Sequence, residues 1–275
     1  MRLATIRTGG GTRAVRIDAD RAVETGQPDV GALLALPDWR AVAEAADGPA
    51  HDLASLDHAP VVPRPGKIIC VGLNYATHIR EMGRELPVHP TLFAKFPEAL
   101  VGAYDDVVLP SASEAIDWEA ELAVVIGSTV RHADEDAAEA AIAGYAVLND
   151  VTARDWQYRT LQWLQGKTFE ATTPFGPELV TADEAGSGLA LTCTVDGDRV
   201  QEADTADLVF SPAALVAYIS TIVTLNPGDV IATGTPGGVG HAREPKRYLR
   251  PGSTVVTAIA GLGECRNTCV AEKTA

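Results

Sequence analysis

The chain has 275 residues, 46% of them hydrophobic and 21% charged, with a formal net charge of −15. That length suits one large core, or a large domain with a small companion, and the composition excludes a disordered chain. The acidic balance excludes nucleic acid and anionic lipid as partners, because both require a basic footprint, so a small anionic ligand needs a locally cationic pocket.

Residues 1–7 alternate as a strand does and not as a signal peptide does, and no long uninterrupted apolar segment follows, so a cytoplasmic enzyme with no membrane attachment is expected. Leu3 to Arg7 and Arg13 to Ile17 predict a hairpin around Gly9, Gly10 and Gly11, and short helices are expected over 32–36 and 39–46. Pro60, Pro63, Pro65 and Gly66 then break the periodicity, which predicts a small N-terminal α+β domain over 1–62 and a catalytic domain over 63–275. Strands are expected from Lys67 to Gly72 and over 107–109, 119–126, 144–149, 190–196, 229–232 and 253–259. Helices are expected from Asp134 to Ala143 and from a Ser211 cap with Pro212 in the first turn. Irregularly spaced strands with few helices predict a β-rich α+β fold, a mixed roll or sandwich and not a doubly wound sheet. Cys70, Cys193, Cys265 and Cys269 lack metal-finger spacing and are expected to be buried free thiols.

Three carboxylates carry the chemical signal. Glu119 and Glu121 precede an apolar strand-like run, and residues two apart on a strand share a face, so both can reach one ion. The ordinary alternative is that alternating Glu marks a solvated face. Asp150 ends a second apolar run, and a third carboxylate there is costly without a cation to neutralise it. Oxygen donors alone suit a hard cation, Mg2+ or Mn2+, one per chain. Upstream, His78 and Glu81 stand at helical i, i+3 spacing, where the carboxylate can orient the imidazole and the pair can draw a proton from water; on spacing alone a surface pair on a short helix is the more ordinary reading. Gly83 and Pro87 permit a mobile lid around them. Lys167, between Gly166 and Phe169, suits a positioned cation, although a snorkelling surface lysine is the common case. The Gly234 to Gly240 loop lacks the ending of a phosphate loop, but its backbone N–H groups and the Thr235 hydroxyl can hold a carboxylate.

Taken in order, Gly72-Leu73-Asn74-Tyr75 with His78 and Glu81, Asp117-Trp118-Glu119 with Glu121, Asn149-Asp150 with Arg154 and Gln157, Gly166-Lys167-Thr168-Phe169, and Gly234-Thr235-Pro236 resemble the fumarylacetoacetate hydrolase family over about 66–270. The resemblance implies a mixed β-sandwich roll, a homodimer, and Mg2+ or Mn2+ on Glu119, Glu121 and Asp150. It implies that His78 and Glu81 activate water, that Lys167 stabilises negative charge, that Gln157 positions lid and water, and that Tyr75, Gly234 and Thr235 contact substrate. Leu73 stands where some members have Arg, so that carboxylate contact does not carry over.

The shared logic of such sites is that a 2-oxo acid chelates the metal and an enolate forms at C3. The leading expectation is a hydrolase that cleaves the C–C bond of acylpyruvate-type 2,4-dioxo acids, fumarylpyruvate or maleylpyruvate among them. Decarboxylation of oxaloacetate, or tautomerisation of a dienol or keto acid, uses the same enolate without water. A catalytically idle metal-binding partner protein is the reading from another class; the retention of His78, Glu81, Lys167 and three carboxylates in one chain opposes it.

Overall fold

The computed structural model describes residues 1–273. Its centre is the strand Ala120–Ile126, all seven residues of which are buried. That strand lies antiparallel between Ile142–Asn149 and Val230–Ala232 in an 11-stranded sheet, which continues through Ile68–Gly72 to Thr91–Lys95 on one side. On the other side it runs through Thr173–Thr181 and Arg2–Thr8 to the N-terminal strands, so the expected hairpin hydrogen-bonds directly into the main sheet. A second sheet of five strands, from Asp198–Asp204 to Val107–Leu109, packs against it. Val147 and Leu122 of the large sheet meet Cys193, Val255 and Cys265 of the smaller one in a common core. Parallel pairs occur at Val230–Ala232 with Ile68–Gly72 and at Gly263–Ala271 with Val107–Leu109, so both large sheets are mixed. This is the β-rich sandwich that the strand pattern predicts.

The Ser211 hydroxyl accepts from the Ala214 N–H and caps the helix Pro212–Ile222, whose Leu215 and Ile219 pack on Val124 and Ile126. All four cysteines are buried and free. The helix expected from Asp134 to Ala143 is shorter, Glu135–Ala140, because Ile142 and Ala143 enter the central sheet, where backbone pairing outweighs the helical preference of an alanine-rich run. No expected element covers Thr173–Thr181, whose Pro174, Gly176 and Pro177 read as breakers. The ladder accommodates them by a register jump from Tyr145 opposite Val180 to Val147 opposite Gly176.

Candidate metal centre and active site

Strand register brings the three carboxylates together. Ala120 stands opposite Asn149, and the Asp150 N–H donates to the Glu119 carbonyl at 2.8 Å, so Asp150 lies across from Glu119 on the face that Glu121 shares. One oxygen from each carboxylate lies within 4.8 Å of the others, and all three residues are buried. The solvated-face alternative is therefore excluded. The Asn149 amide oxygen accepts from the Glu119 N–H at 3.0 Å and fixes the start of the strand.

Cations surround the cluster from one side. The Lys167 ammonium donates to Glu119 and Asp150, both at 2.7 Å, and is 98% buried, so it is no surface lysine. Burial disfavours its charge, but Asp150 and Glu119 outweigh this and raise its pKa. Lys95, at the end of Thr91–Lys95, holds the other Asp150 oxygen at 2.7 Å. Arg154 spans Glu119 at 2.6 Å and Asp117 at 2.8 Å, and donates to the Gln157 side-chain oxygen at 3.0 Å. Asp117 also accepts the Gly240 and His241 N–H groups, tying the loop after Val239 to the cluster. Lys95, Arg154 and Asp117 had no assigned role in the sequence. A lysine closing a short apolar strand, and an arginine four residues past a strand-end aspartate, are signals that could have found them.

Glu121 differs from its neighbours in having no cationic partner among the described residues. It accepts one hydrogen bond, from the Gly234 N–H at 2.8 Å. Desolvation, then Asp150 and Glu119, push its pKa well above the carboxylate range, whereas Lys167 and Lys95 overcome burial and hold Asp150 low. A buried carboxylate repelled by two others is what a divalent cation would neutralise, and an all-oxygen donor set fits a hard ion.

Of the three carboxylates Glu119 reaches the wall of a cavity of about 460 Å3, with Lys167, His78, Gln157 and Thr235 also on the wall. His78 and Glu81 lie on the short helix Ala76–Glu81, and both side chains approach Gly237. No hydrogen bond joins them among the described residues. Desolvation lowers the His78 pKa against the opposing charges of Glu81 and Glu119. His78 and Glu81 also border a second cavity of about 700 Å3, with Tyr75 on its wall. The Tyr75 hydroxyl is buried without a partner among the described residues. Gly234 sits at φ +99° beside the Val71 carbonyl oxygen, a close approach that glycine permits. The Thr235 hydroxyl donates to the Ala120 carbonyl at 3.0 Å and accepts from Gln201 at 2.8 Å.

Residues 67–270 match the model described as fumarylacetoacetate (FAA) hydrolase C-terminal. A mitochondrial oxaloacetate tautomerase of Rattus norvegicus is 46% identical over 215 residues, covering 77% of this chain and 68% of the relative. The fumarylacetoacetate hydrolase of Exiguobacterium antarcticum superposes with a TM-score of 0.89 at 30% identity, covering 99% of this chain and 100% of that one. The maleylpyruvate hydrolase of Sphingobium sp. SYK-6, solved with manganese(II) and pyruvate, superposes with a TM-score of 0.82 at 30% identity over the same shares.

Proposed function

Because this chain belongs to the fumarylacetoacetate hydrolase family, we propose that it is a divalent-metal-dependent enzyme interconverting keto and enol forms of a 2-oxo acid, oxaloacetate being the first substrate to test. The observation that carries this reading is the state of His78. Its imidazole lines the same cavity as Glu119, is pushed toward its neutral form by desolvation, and makes no hydrogen bond to Glu81 among the described residues. A neutral imidazole facing the cavity can take a proton directly from C3 with no water to orient. The high identity to an oxaloacetate tautomerase supports the same choice.

Glu119, Glu121 and Asp150 would hold the ion, Mg2+ or Mn2+, which supplies Lewis acidity to the 2-oxo acid when bound. The chain does the rest. As the C3–H bond breaks, His78 accepts the proton and its electron pair moves toward the C2 oxygen. Lys167 has three N–H donors and commits two of them to Glu119 and Asp150, leaving one for that oxygen. The buried Arg154 Nη2, which has no partner among the described residues, is a second available donor. His78 then returns the proton to oxygen, or to C3 in the reverse direction.

Hydrolysis of an acylpyruvate is the second reading. The cavity behind His78 and Glu81 has room for water between them, and the likeness to a maleylpyruvate hydrolase supports it. The deciding experiment follows C3 proton–deuterium exchange of oxaloacetate by NMR, with Mn2+ or Mg2+ and with EDTA, beside release of pyruvate from acetylpyruvate and maleylpyruvate. Metal-dependent exchange that is lost in His78→Ala, without acylpyruvate cleavage, is expected. Cleavage to pyruvate and a carboxylic acid at a higher kcat/KM would replace the tautomerase reading with hydrolysis.

A further inference from the structure

We propose that Arg84 reads a second carboxylate of the substrate, so that this cavity selects 2-oxo dicarboxylates over 2-oxo acids with a neutral tail. The inference rests on the 2-oxo acid reading of the site and names the feature that discriminates among such acids.

The backbone fixes where Arg84 begins. The helix Ala76–Glu81 ends with Gly83 at φ +68°, whose N–H donates to the Arg80 carbonyl at 2.9 Å, and the Arg84 N–H reaches back to the Ile79 carbonyl at 3.2 Å. This six-to-one closure is a Schellman cap, and it is anchored on the buried Ile79. Arg84, an exposed residue, therefore leaves a pinned turn one residue beyond the glycine and lines the rim of the 460 Å3 cavity with His78 and Met82.

Charge accounting within that cavity singles this residue out. The other wall cations, Lys167 and Arg154, are bound to Glu119, Asp150 and Asp117. His241 is lowered in pKa, by burial first and then by Lys246 and Arg154, and is neutral at pH 7. Arg84 makes no ion pair and no side-chain hydrogen bond among the described residues, and its charge is felt at His78. Much of the remaining wall is apolar, with Phe93, Trp163, Leu73 and Val239. A carboxylate placed against such a wall needs a charged donor, and a chain of net charge −15 repels a dianion unless a local cation offsets it. A guanidinium can supply two parallel N–H donors to one carboxylate.

The test compares oxaloacetate with its 4-ethyl monoester, which keeps the reacting 2-oxo acid and removes the distal charge, in wild type, Arg84→Met and Arg84→Lys. The expected result in Arg84→Met is a KM for oxaloacetate raised about 10- to 100-fold, the size of a lost charge-assisted contact. The preference for oxaloacetate over the ester falls by the same factor, and Arg84→Lys restores part of it. Calorimetric binding of 3,3-difluoro-oxaloacetate, which has no C3 proton, in the presence of Mg2+ reads the contact without turnover and is expected to weaken by the same factor. If Arg84→Met leaves that binding and the preference unchanged, or depresses both substrates equally, the assignment is overturned while the 2-oxo acid reading stands. If the wild type neither binds the difluoro acid nor turns over either substrate, the functional reading itself falls, and the assignment with it.

Discussion

Lys95→Met is the sharpest test of how the carboxylate cluster is held. Lys95 and Asp150 are wholly buried at 2.7 Å, and methionine keeps the volume of the stem while deleting the charge. Removing one partner of a buried pair leaves the other charged and undersolvated, which costs about 3–5 kcal/mol. Lys167 still holds the second Asp150 oxygen at 2.7 Å, so the lower end applies here, about 3 kcal/mol. For a chain of this size that lowers Tm by roughly 6–10 °C. The assay is thermal and urea unfolding of both proteins in EDTA and again in saturating Mn2+. In EDTA the full loss is expected. With Mn2+ the ion supplies positive charge beside Asp150, so the difference should shrink to about half. Equal stability in EDTA, or an identical loss in both buffers, would refute the account of Lys95 as the counter-charge of a metal-ligating carboxylate.

Three other outcomes follow from the same geometry. Glu121→Gln removes a carboxyl whose ionised form burial disfavours and which must take up a proton to fold at pH 7 without metal, so in EDTA it should gain about 1 kcal/mol in urea unfolding while losing at least about tenfold in calorimetric Mn2+ affinity. Burial lowers the His58 pKa below its ordinary 6.5, so the unfolded chain takes up the proton first. Stability is then whole above pH 6.5, falls as the pH drops from 6.5 to the lowered folded value, and flattens beyond it; His58→Gln should weaken that dependence in unfolding curves taken from pH 7.5 to 5. A Cβ at Gly166 would stand 2.6 Å from the Ala153 carbonyl oxygen and from the Gln157 Cα. Gly166→Ala should therefore force apart the short helices that carry Gln157 and Lys167, costing about 1–3 kcal/mol of stability and most of the activity, and unchanged turnover would contradict that packing.

The carboxylate site was legible because its signal is local in two places: Glu119 and Glu121 share a face by strand periodicity, and Asp150 ends a second apolar run. Their meeting depends on register, since a one-residue slip of Ala120–Ile126 against Ile142–Asn149 would send Glu119 and Glu121 to the opposite face from Asp150. Helical spacing sets only the proximity of His78 and Glu81, and both side chains come up beside Gly237 with no hydrogen bond between them among the described residues. Lys95 carries no pattern as a lone cation in sequence, and Arg154 stands in a motif without a role; their roles exist only opposite Asp150, Glu119 and Asp117.

What the amino-acid order determined by itself was the set of strands with dense apolar runs, the Ser211 helix cap, the burial of the thiols, and the all-oxygen donor set of the three carboxylates. These follow from periodicity, turn residues and side-chain type, all of which act over a few neighbours. Tertiary structure alone decided that Thr173–Thr181, with its two prolines, runs through the middle of the sheet, and that three cations balance the cluster and leave Glu121 unpaired. It also placed Arg84 over the cavity. Long-range strand pairing and the sharing of charge in a buried, low-dielectric volume are sums over residues far apart in the chain, and no local pattern encodes them.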